Sequence, residues 1–574
     1  MTCKERALSE DYVEIMTDFM VTEELLSGKE VDMCTIPAGQ GIYISYVSSK
    51  VAGERMTSTL YFLPQCYGLM AEPVWNMSYD TVALSDTGIL QTQNPPLSLT
   101  GRGVVMGFLD TGIRYENAAF RYSDGTTRIR AIWDQTIQEG EPPAGQIFGT
   151  EYTRTQINAA LAGDTPAALV PVTDRNGHGT ALASVAAGSV SEDSDGTVKG
   201  FLGAAPDAEI VVVKLREAKT YLRNFLMIPE DVPAYSESDI ILALKYLNDF
   251  AISLRRPLVI CFGLGTNMGS HTGTTILSRY MRRMLERRSR AIVVCGGNEG
   301  NSGRHYEGRS YIERGEPYTD VEIRVAEGVT GFVAEVWGTV PQLYTVSILS
   351  PSGERYPENI GILGQNFGHS FLYEKTNVNV VYSVVEEGSG DERILIRFDR
   401  PTAGLWTIRL YGIGECTEDL FHIWLPIQNF LPAGTYFLRS TPYVTLTVPG
   451  YADEIITVTT YNDENHSFWP ESGRGFGRNG KIRPDLAAPG VNVPTVNGRM
   501  SGSSIAAAIT AGAAAQLMQW AVVERNDEYI FGRDVRNYLI RGAQREDSLN
   551  YPNREWGFGR LNIESTFEVL RGLR

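Results

Sequence analysis

Four short, unbroken apolar runs constrain this chain more than any other feature. Val104–Leu109 (VVMGFL), Glu209–Lys214 (EIVVVK), Leu258–Phe262 (LVICF) and Ile292–Cys295 (IVVC) lack the polar–apolar alternation of a half-exposed strand. Runs of this kind suit parallel strands covered on both faces. Helix-like stretches lie between them, among them Ser236–Tyr246 (SESDIILALKY), whose start Ser236 or Ser238 could cap. Strand–helix alternation predicts an α/β domain: a parallel sheet flanked by helices.

The alternation stops near Gly308 and resumes near Tyr451. Between them, stretches such as VEIRVAEGVTGFVAEVWG and RILIRFDRPTAGLWTIRLYG alternate polar with apolar and break at Gly, Pro and Ser. That texture predicts an antiparallel sandwich or jelly roll inserted into the α/β domain. The first 95 or so residues are mixed, with strand-like Gly41–Val47 (GIYISYV) and Thr59–Leu63 (TLYFL). The expected organisation is a small α+β segment over 1–75, an α/β domain over 76–308 and 449–574, and a β-rich insert over 309–448. A length of 574 residues accommodates several such units at about 150 residues each.

Charge removes some function classes. A formal net charge of −17 disfavours nucleic acid, whose binders need a basic face, and anionic membrane surfaces. The N-terminal MTCKERALSEDYVEIM carries charges throughout and reads as no classical signal peptide. Ile505–Met518, rich in Ala but interrupted by Thr510 and Gln516, reads as a packed internal helix rather than a membrane span. Six cysteines without a C-x-x-C pair suggest neither a zinc site nor a disulfide framework, and suit a reducing compartment. A soluble protein is expected.

Three segments carry chemistry. VVMGFLDTG ends a buried run on Asp110, placing a carboxylate at the strand end where open α/β sheets build their sites. DRNGHGTALASVAAG sets His178 between two glycines at the start of a small-residue helix. MSGSSIAAAITAGAAA puts Ser504 at the beginning of another, where free N–H groups favour developing negative charge. Each has a plain structural use: a turn aspartate, a packed histidine, a serine cap. The order Asp, His, Ser is one of the known chain orders of a nucleophilic triad. The other histidines (His271, His305, His369, His422, His466) read as surface or packing residues.

These segments resemble the D-T-G, H-G-T and G-T-S-M-A motifs of the subtilisin-like (S8, subtilase) serine proteases. Here they stand as Asp110-Thr111-Gly112, His178-Gly179-Thr180 and Gly502-Ser503-Ser504-Ile505-Ala506. VVCGGNEG resembles the family's A-G-N-E-G, and GAAP at Gly203–Pro206 and KIRPDLAAPG at Lys481–Gly490 match as well. The resemblance implies Ser504 as nucleophile, His178 as general base, Asp110 as its orienting carboxylate and Asn298 as oxyanion-hole amide. It implies Gly263 and Gly265 as substrate-pairing residues and Gly296 and Gly297 as a wall of the first specificity pocket. Ser503, Ile505 and Ala508 replace the usual Thr, Met and Pro without removing a catalytic atom. Gly263–Gly269 also mimics a nucleotide loop, but its last spacing is wrong and no acidic ribose partner follows.

The long interval from Asn298 to Ser504 and the N-terminal segment narrow the likeness further. The architecture resembles the clostridial Csp germination proteases, which act in spores and process the pro-form of a cortex-lytic enzyme. The resemblance implies a protein or peptide substrate and a cytoplasmic or spore-associated location. Some members of that group have lost triad residues and act as sensors or scaffolds, which is the alternative to an active endopeptidase. No cofactor is required by this reading; no metal site is assigned, and a calcium cage is left unassigned. The family also implies that residues 1–75 act as intramolecular chaperone and inhibitor. Thr59–Met70 (TLYFLPQCYGLM) would enter the cleft on one side of Pro64, with a self-cut between about Leu63 and Asp80.

Overall fold

The computed structural model describes residues 1–22, 32–50, 63–74, 80–189, 201–309, 318–356, 366–413 and 420–572. The four apolar runs form the middle of a nine-stranded sheet. Arg290–Cys295, Leu258–Phe262, Val105–Asp110 and Glu209–Lys214 lie side by side in that order, all parallel. Ile129–Asp134 continues beyond Glu209–Lys214, and Ile456–Asn462 beyond Arg290–Cys295, again in parallel. Antiparallel strands sit only toward the margins, at Thr150–Thr153 and Ser467–Phe468.

Alternate side chains of these strands feed two different cores, as the two-residue period requires. Met106, Phe108, Val259 and Cys261 join a cluster with helices His178–Ala187 and Ser503–Met518. Val105, Leu109, Ile260 and Phe262 join another with helices Glu237–Leu254 and Ile276–Leu285. Each fully buried aliphatic side chain here contributes about 1.5–3 kcal/mol, which is why these strands carry no polar face.

Ser503–Met518 is buried along its whole length. Extended to Val523, it is the one helix among the described residues long and apolar enough to cross a membrane, and 89% of its apolar window lies inside the protein. Small residues let it run against its neighbours: a Cβ on Gly512 would lie 2.2 Å from the Ala204 Cβ. The start of Glu237–Leu254 differs from expectation. Ser236 holds the N-cap position, but its hydroxyl donates to Glu14 Oε2 at 3.0 Å instead of capping the helix.

Two antiparallel sheets follow the strand Arg290–Cys295. One holds six strands, from His305–Arg309 at an edge to Asn366–Ser370 at the other; the second holds five, including Tyr318–Val325, Leu343–Leu349 and Gly404–Ile413. Val321, Ile323, Phe332, Val336, Ile394, Trp406 and Ile408 fill the space between them. The outer side of the six-stranded sheet contributes Val333, Trp337, Leu395 and Trp424 to the core shared with helices His178–Ala187 and Ser503–Met518.

The N-terminal segment forms helix Cys3–Leu8 and a three-stranded antiparallel sheet, Tyr12–Thr17, Ile42–Ser48 and Met33–Gly39 in spatial order. It packs on Glu237–Leu254 and Ile276–Leu285 through Ile42, Ile44, Tyr46, Leu244 and Tyr280. Residues 59–62 of the strand expected at Thr59–Leu63 lie outside the described residues. One cysteine expectation is corrected. Cys3 and Cys34 are joined by a disulfide, with Cα atoms 5.7 Å apart. Sequence spacing hid the pair because the helix folds back on the second strand of its own sheet.

Candidate active site

Asp110 ends a central strand, His178 opens a helix and Ser504 is the second residue of another. Strand ends and helix starts of an open α/β sheet converge at one edge, so three residues far apart in sequence meet. His178 Nδ1 lies 2.8 and 2.9 Å from the two carboxylate oxygens of Asp110. His178 Nε2 lies 3.0 Å from Ser504 Oγ. All three are buried. The carboxylate accepts from Nδ1–H, which leaves Nε2 as the acceptor for the hydroxyl proton.

A second carboxylate, which the sequence reading did not single out, builds this corner. Asp174 Oδ1 accepts from Thr111 Oγ1 at 2.8 Å and from Gly177 N at 2.7 Å. Its Oδ2 accepts from Thr180 N at 2.9 Å and Thr180 Oγ1 at 2.6 Å. It therefore satisfies free N–H groups at the start of the histidine helix and ties that helix to the loop after Asp110. The signal was present in D-x-x-G-H-G-T, an acidic residue just ahead of a helix start. Gly179 is needed for closeness: a Cβ there would lie 2.3 Å from the Gly112 carbonyl oxygen.

Asn298 is buried and its Oδ1 accepts from Ser503 N at 3.0 Å, which leaves its Nδ2 as the donor. Glu299 beside it accepts from Ser302 Oγ at 2.8 Å, and burial pushes its carboxyl above the usual range. Cys295 is no rival nucleophile, because burial pushes its thiol up to about 12.

The cleft holds a segment of the chain itself. Cys66–Leu69 runs between Tyr235–Ser236 and Leu264–Gly265 as the middle of an antiparallel three-stranded sheet. Leu69 is opposite Leu264 and Gly68 opposite Gly265. One residue on, the Met70 carbonyl accepts from Ser504 N at 3.2 Å. The chain then crosses Gly502, where a Cβ would lie 2.3 Å from Met70 O and 2.5 Å from Ala71 Cα. Glu72–Val74 leaves the cleft paired antiparallel with Gly498–Ser501. A cavity of about 560 Å³ flanks this crossing, lined by Leu69, Ala71, Arg114, Asn176 and Asp231 among others. A larger one of about 890 Å³, where residues 223–230 meet the sandwich, shares no lining residue with the triad.

The four subsite glycines divide. Gly265 pairs with Gly68, and a Cβ on it would lie 3.1 Å from the Met70 Cε. Gly263 instead backs Ser504 and His178, since a Cβ would lie 3.1 Å from Ser504 Cβ and 3.2 Å from His178 Cε1. At Gly296 and Gly297 the nearest atoms belong to Val458, Leu446 and Thr447 rather than to the segment in the cleft. Among the described residues no group of three or more His, Cys, Asp or Glu side chains could hold a metal ion.

The model of the subtilase family matches residues 101–319 and 440–559. The unmatched stretch between them holds most strands of the two antiparallel sheets. Among solved structures, the CspB protease of Clostridium perfringens is similar at 29% identity and a TM-score of 0.75, covering 86% of this chain and 98% of that one. MycP1 of Mycobacterium smegmatis gives 14% and 0.37, covering 87% and 88%. Fervidolysin of Fervidobacterium pennivorans gives 12% and 0.44, covering 97% and 61%. No curated protein matches.

Proposed function

This chain belongs to the subtilase family and is a subtilisin-like serine peptidase, and from that premise we propose that Ser504, His178 and Asp110 are its catalytic triad and that its first substrate is its own Met70–Ala71 bond. One observation carries the reading: the Met70 carbonyl oxygen accepts from the Ser504 amide with the Ser504 hydroxyl already on His178.

Ser504 Oγ attacks the Met70 carbonyl carbon as His178 Nε2 takes the hydroxyl proton. Negative charge collects on the Met70 oxygen, stabilised by the Ser504 N–H and by Asn298 Nδ2. The C–N bond then breaks, the Ala71 nitrogen takes the proton from His178, and Met70 remains as an ester on Ser504. Water, deprotonated by His178, hydrolyses that ester to a Met70 carboxylate and frees Ser504. Asp110 holds the ring and stabilises its charged form throughout.

After the cut, residues 1–70 act as an intramolecular inhibitor. Glu14 of the N-terminal sheet, itself buried, accepts from Arg216 Nη2 at 2.9 Å and from the buried Ser238 Oγ at 2.7 Å and Ser236 Oγ at 3.0 Å, all on the peptidase side. For a substrate in trans, the likeness to germination proteases points to a protein pro-enzyme of spore germination. A silent, scaffold-like member is the alternative, and the groups assembled around Ser504 favour catalysis over it.

Intact-mass analysis and N-terminal sequencing of wild type against Ser504→Ala test the reading. The wild type yields a new N-terminus at Ala71, and Ser504→Ala stays full length. A wild type that remains full length and fails to react with a fluorophosphonate probe supports the silent scaffold.

A further inference from the structure

We propose that the inserted sandwich reaches into the cleft as a strap, residues 427–430, that fits glycine best and excludes anything larger than alanine at the third residue before the cut. The inference rests on the reading of Met70–Ala71 as the bond presented to Ser504, and Gly68 is that third residue. The strap follows strand Leu420–Trp424 and lies inside the stretch that the family model leaves unmatched. The subsite is therefore an addition of the insert to the peptidase.

Space, not backbone conformation, demands the glycine. Gly68 is absent from the residues with positive φ, so any side chain could adopt its extended backbone. A Cβ there, however, would lie 2.6 Å from Ile427 Cδ1 and 3.2 Å from Phe430 Cε1 and Cζ. Both strap side chains are themselves buried, in the same core as Met70 and Leu446. A methyl group can be met by turning the end of Ile427. A branched side chain needs volume that the packed core does not offer.

The two residues between these walls fix the strap. Asn429 Nδ2 donates to the Leu69 carbonyl at 3.0 Å, gripping the peptide backbone whatever its side chains. Gln428 N donates to Glu299 Oε1 at 3.1 Å, and Gln428 Nε2 to the Asn298 carbonyl at 3.3 Å. The element that reads Gly68 is thus fastened to the loop that carries the oxyanion amide. The substrate class follows: extended protein segments with glycine, or at most alanine, at the third residue before the scissile bond, and a bulky apolar residue at the bond, as Met70 is here.

The full-length chain tests this in two arms. In a Ser504→Ala background, hydrogen exchange of residues 66–70 reads seating without chemistry. Gly68→Val should raise exchange there at least tenfold, Gly68→Ala less, and Ile427→Ala combined with Gly68→Val should restore protection. With Ser504 present, Gly68→Val should slow appearance of the Ala71 N-terminus at least tenfold, and the same Ile427→Ala should recover it. Protection in Gly68→Val equal to that of wild type overturns the strap. So does the absence of rescue by Ile427→Ala in a chain whose melting is otherwise unchanged. Seating that responds as stated, with no cut in any Ser504 chain, supports the strap and overturns the catalytic reading instead.

Discussion

In the proposed reaction His178 passes a proton between Ser504 and a leaving amine only while its ring stays in place, and two carboxylates share that task in different ways. Asp110 touches the ring; Asp174 holds the helix that carries it. Their removal should therefore separate chemistry from stability. Asp110→Asn preserves shape but offers Nδ1 the wrong partner, and should slow the self-cut by about 10⁴-fold with little change in melting. Asp174→Ala strands two hydroxyls and two N–H groups, each costing about 1–3 kcal/mol when buried and unpaired. It should lower unfolding free energy by about 3 kcal/mol or more, read by urea titration of a Ser504→Ala chain. Equal stability of the two variants would show that Asp174 is not the anchor. Ser504 and His178 act as a unit, so the double alanine variant should cut no more slowly than the worse single variant. Rates that multiply would separate them. Asn298→Ala should reduce kcat about 100- to 1,000-fold, against little change in KM on a peptide substrate, because its bond is aimed at developing charge.

The helix Ser503–Met518 shows why some elements were legible from sequence and others were not. Its run of Ala and Gly has no amphipathic face, and the structure surrounds it on every side. Gly512 is the tightest point, and Gly512→Val should cost about 1–3 kcal/mol through overpacking against Ala204, measured as a shift in urea midpoint at constant slope. An unshifted midpoint would mean that the neighbouring loop yields freely. The parallel strands were legible for the same local reason: burial on both faces removes polar residues from the strand itself. The three residues that meet in the candidate site were legible because each lies inside a short contiguous motif. Asp174 left a local signal ahead of its helix, but its bond to Thr111, the 427–430 strap and the Cys3–Cys34 pair depend on what a distant part of the chain brings alongside, and no local period records that. Ser236 shows the reverse case. A good cap by type was taken from its helix by Glu14, more than 200 residues earlier in the chain.

Across the whole molecule, the seam between peptidase and sandwich gathers three buried histidines around one indole. His271 from the peptidase stacks on Trp424 of the sandwich with ring centroids 4.0 Å apart, and His305 lies on the same indole at 4.5 Å. His305 Nδ1 donates to the Tyr443 carbonyl, so its Nε2 accepts from His422 Nδ1 at 3.0 Å. His271 Nε2 donates to the Asn267 carbonyl at 2.9 Å. These bonds fix which nitrogen of each ring carries the hydrogen, and burial disfavours a second one. The second nitrogens of His271 and His422 make no hydrogen bond among the described residues, and the Arg478 cation disfavours a further proton on either ring. The Glu307 carboxylate, 3.9 Å from His422 Nδ1 and partly exposed, offers only weak compensation. Burial pushes His271 and His305 down to about 3, and His422 well below its usual value. An unfolded histidine titrates near about 6.5, so between that pH and about 3 the unfolded chain binds more protons than the folded one. Stability is then full above pH 6.5 and falls as the pH drops, by up to about 1.4 kcal/mol per pH unit for each histidine. Urea unfolding of the Ser504→Ala chain at pH 7.5, 6 and 5 should show this fall. His271→Gln, whose amide can still donate to Asn267, should make the slope shallower by about one proton, or about 1.4 kcal/mol per pH unit near pH 5. Identical slopes in the two chains would show that His271 is already doubly protonated in the folded state at these pH values and contributes nothing to the fall.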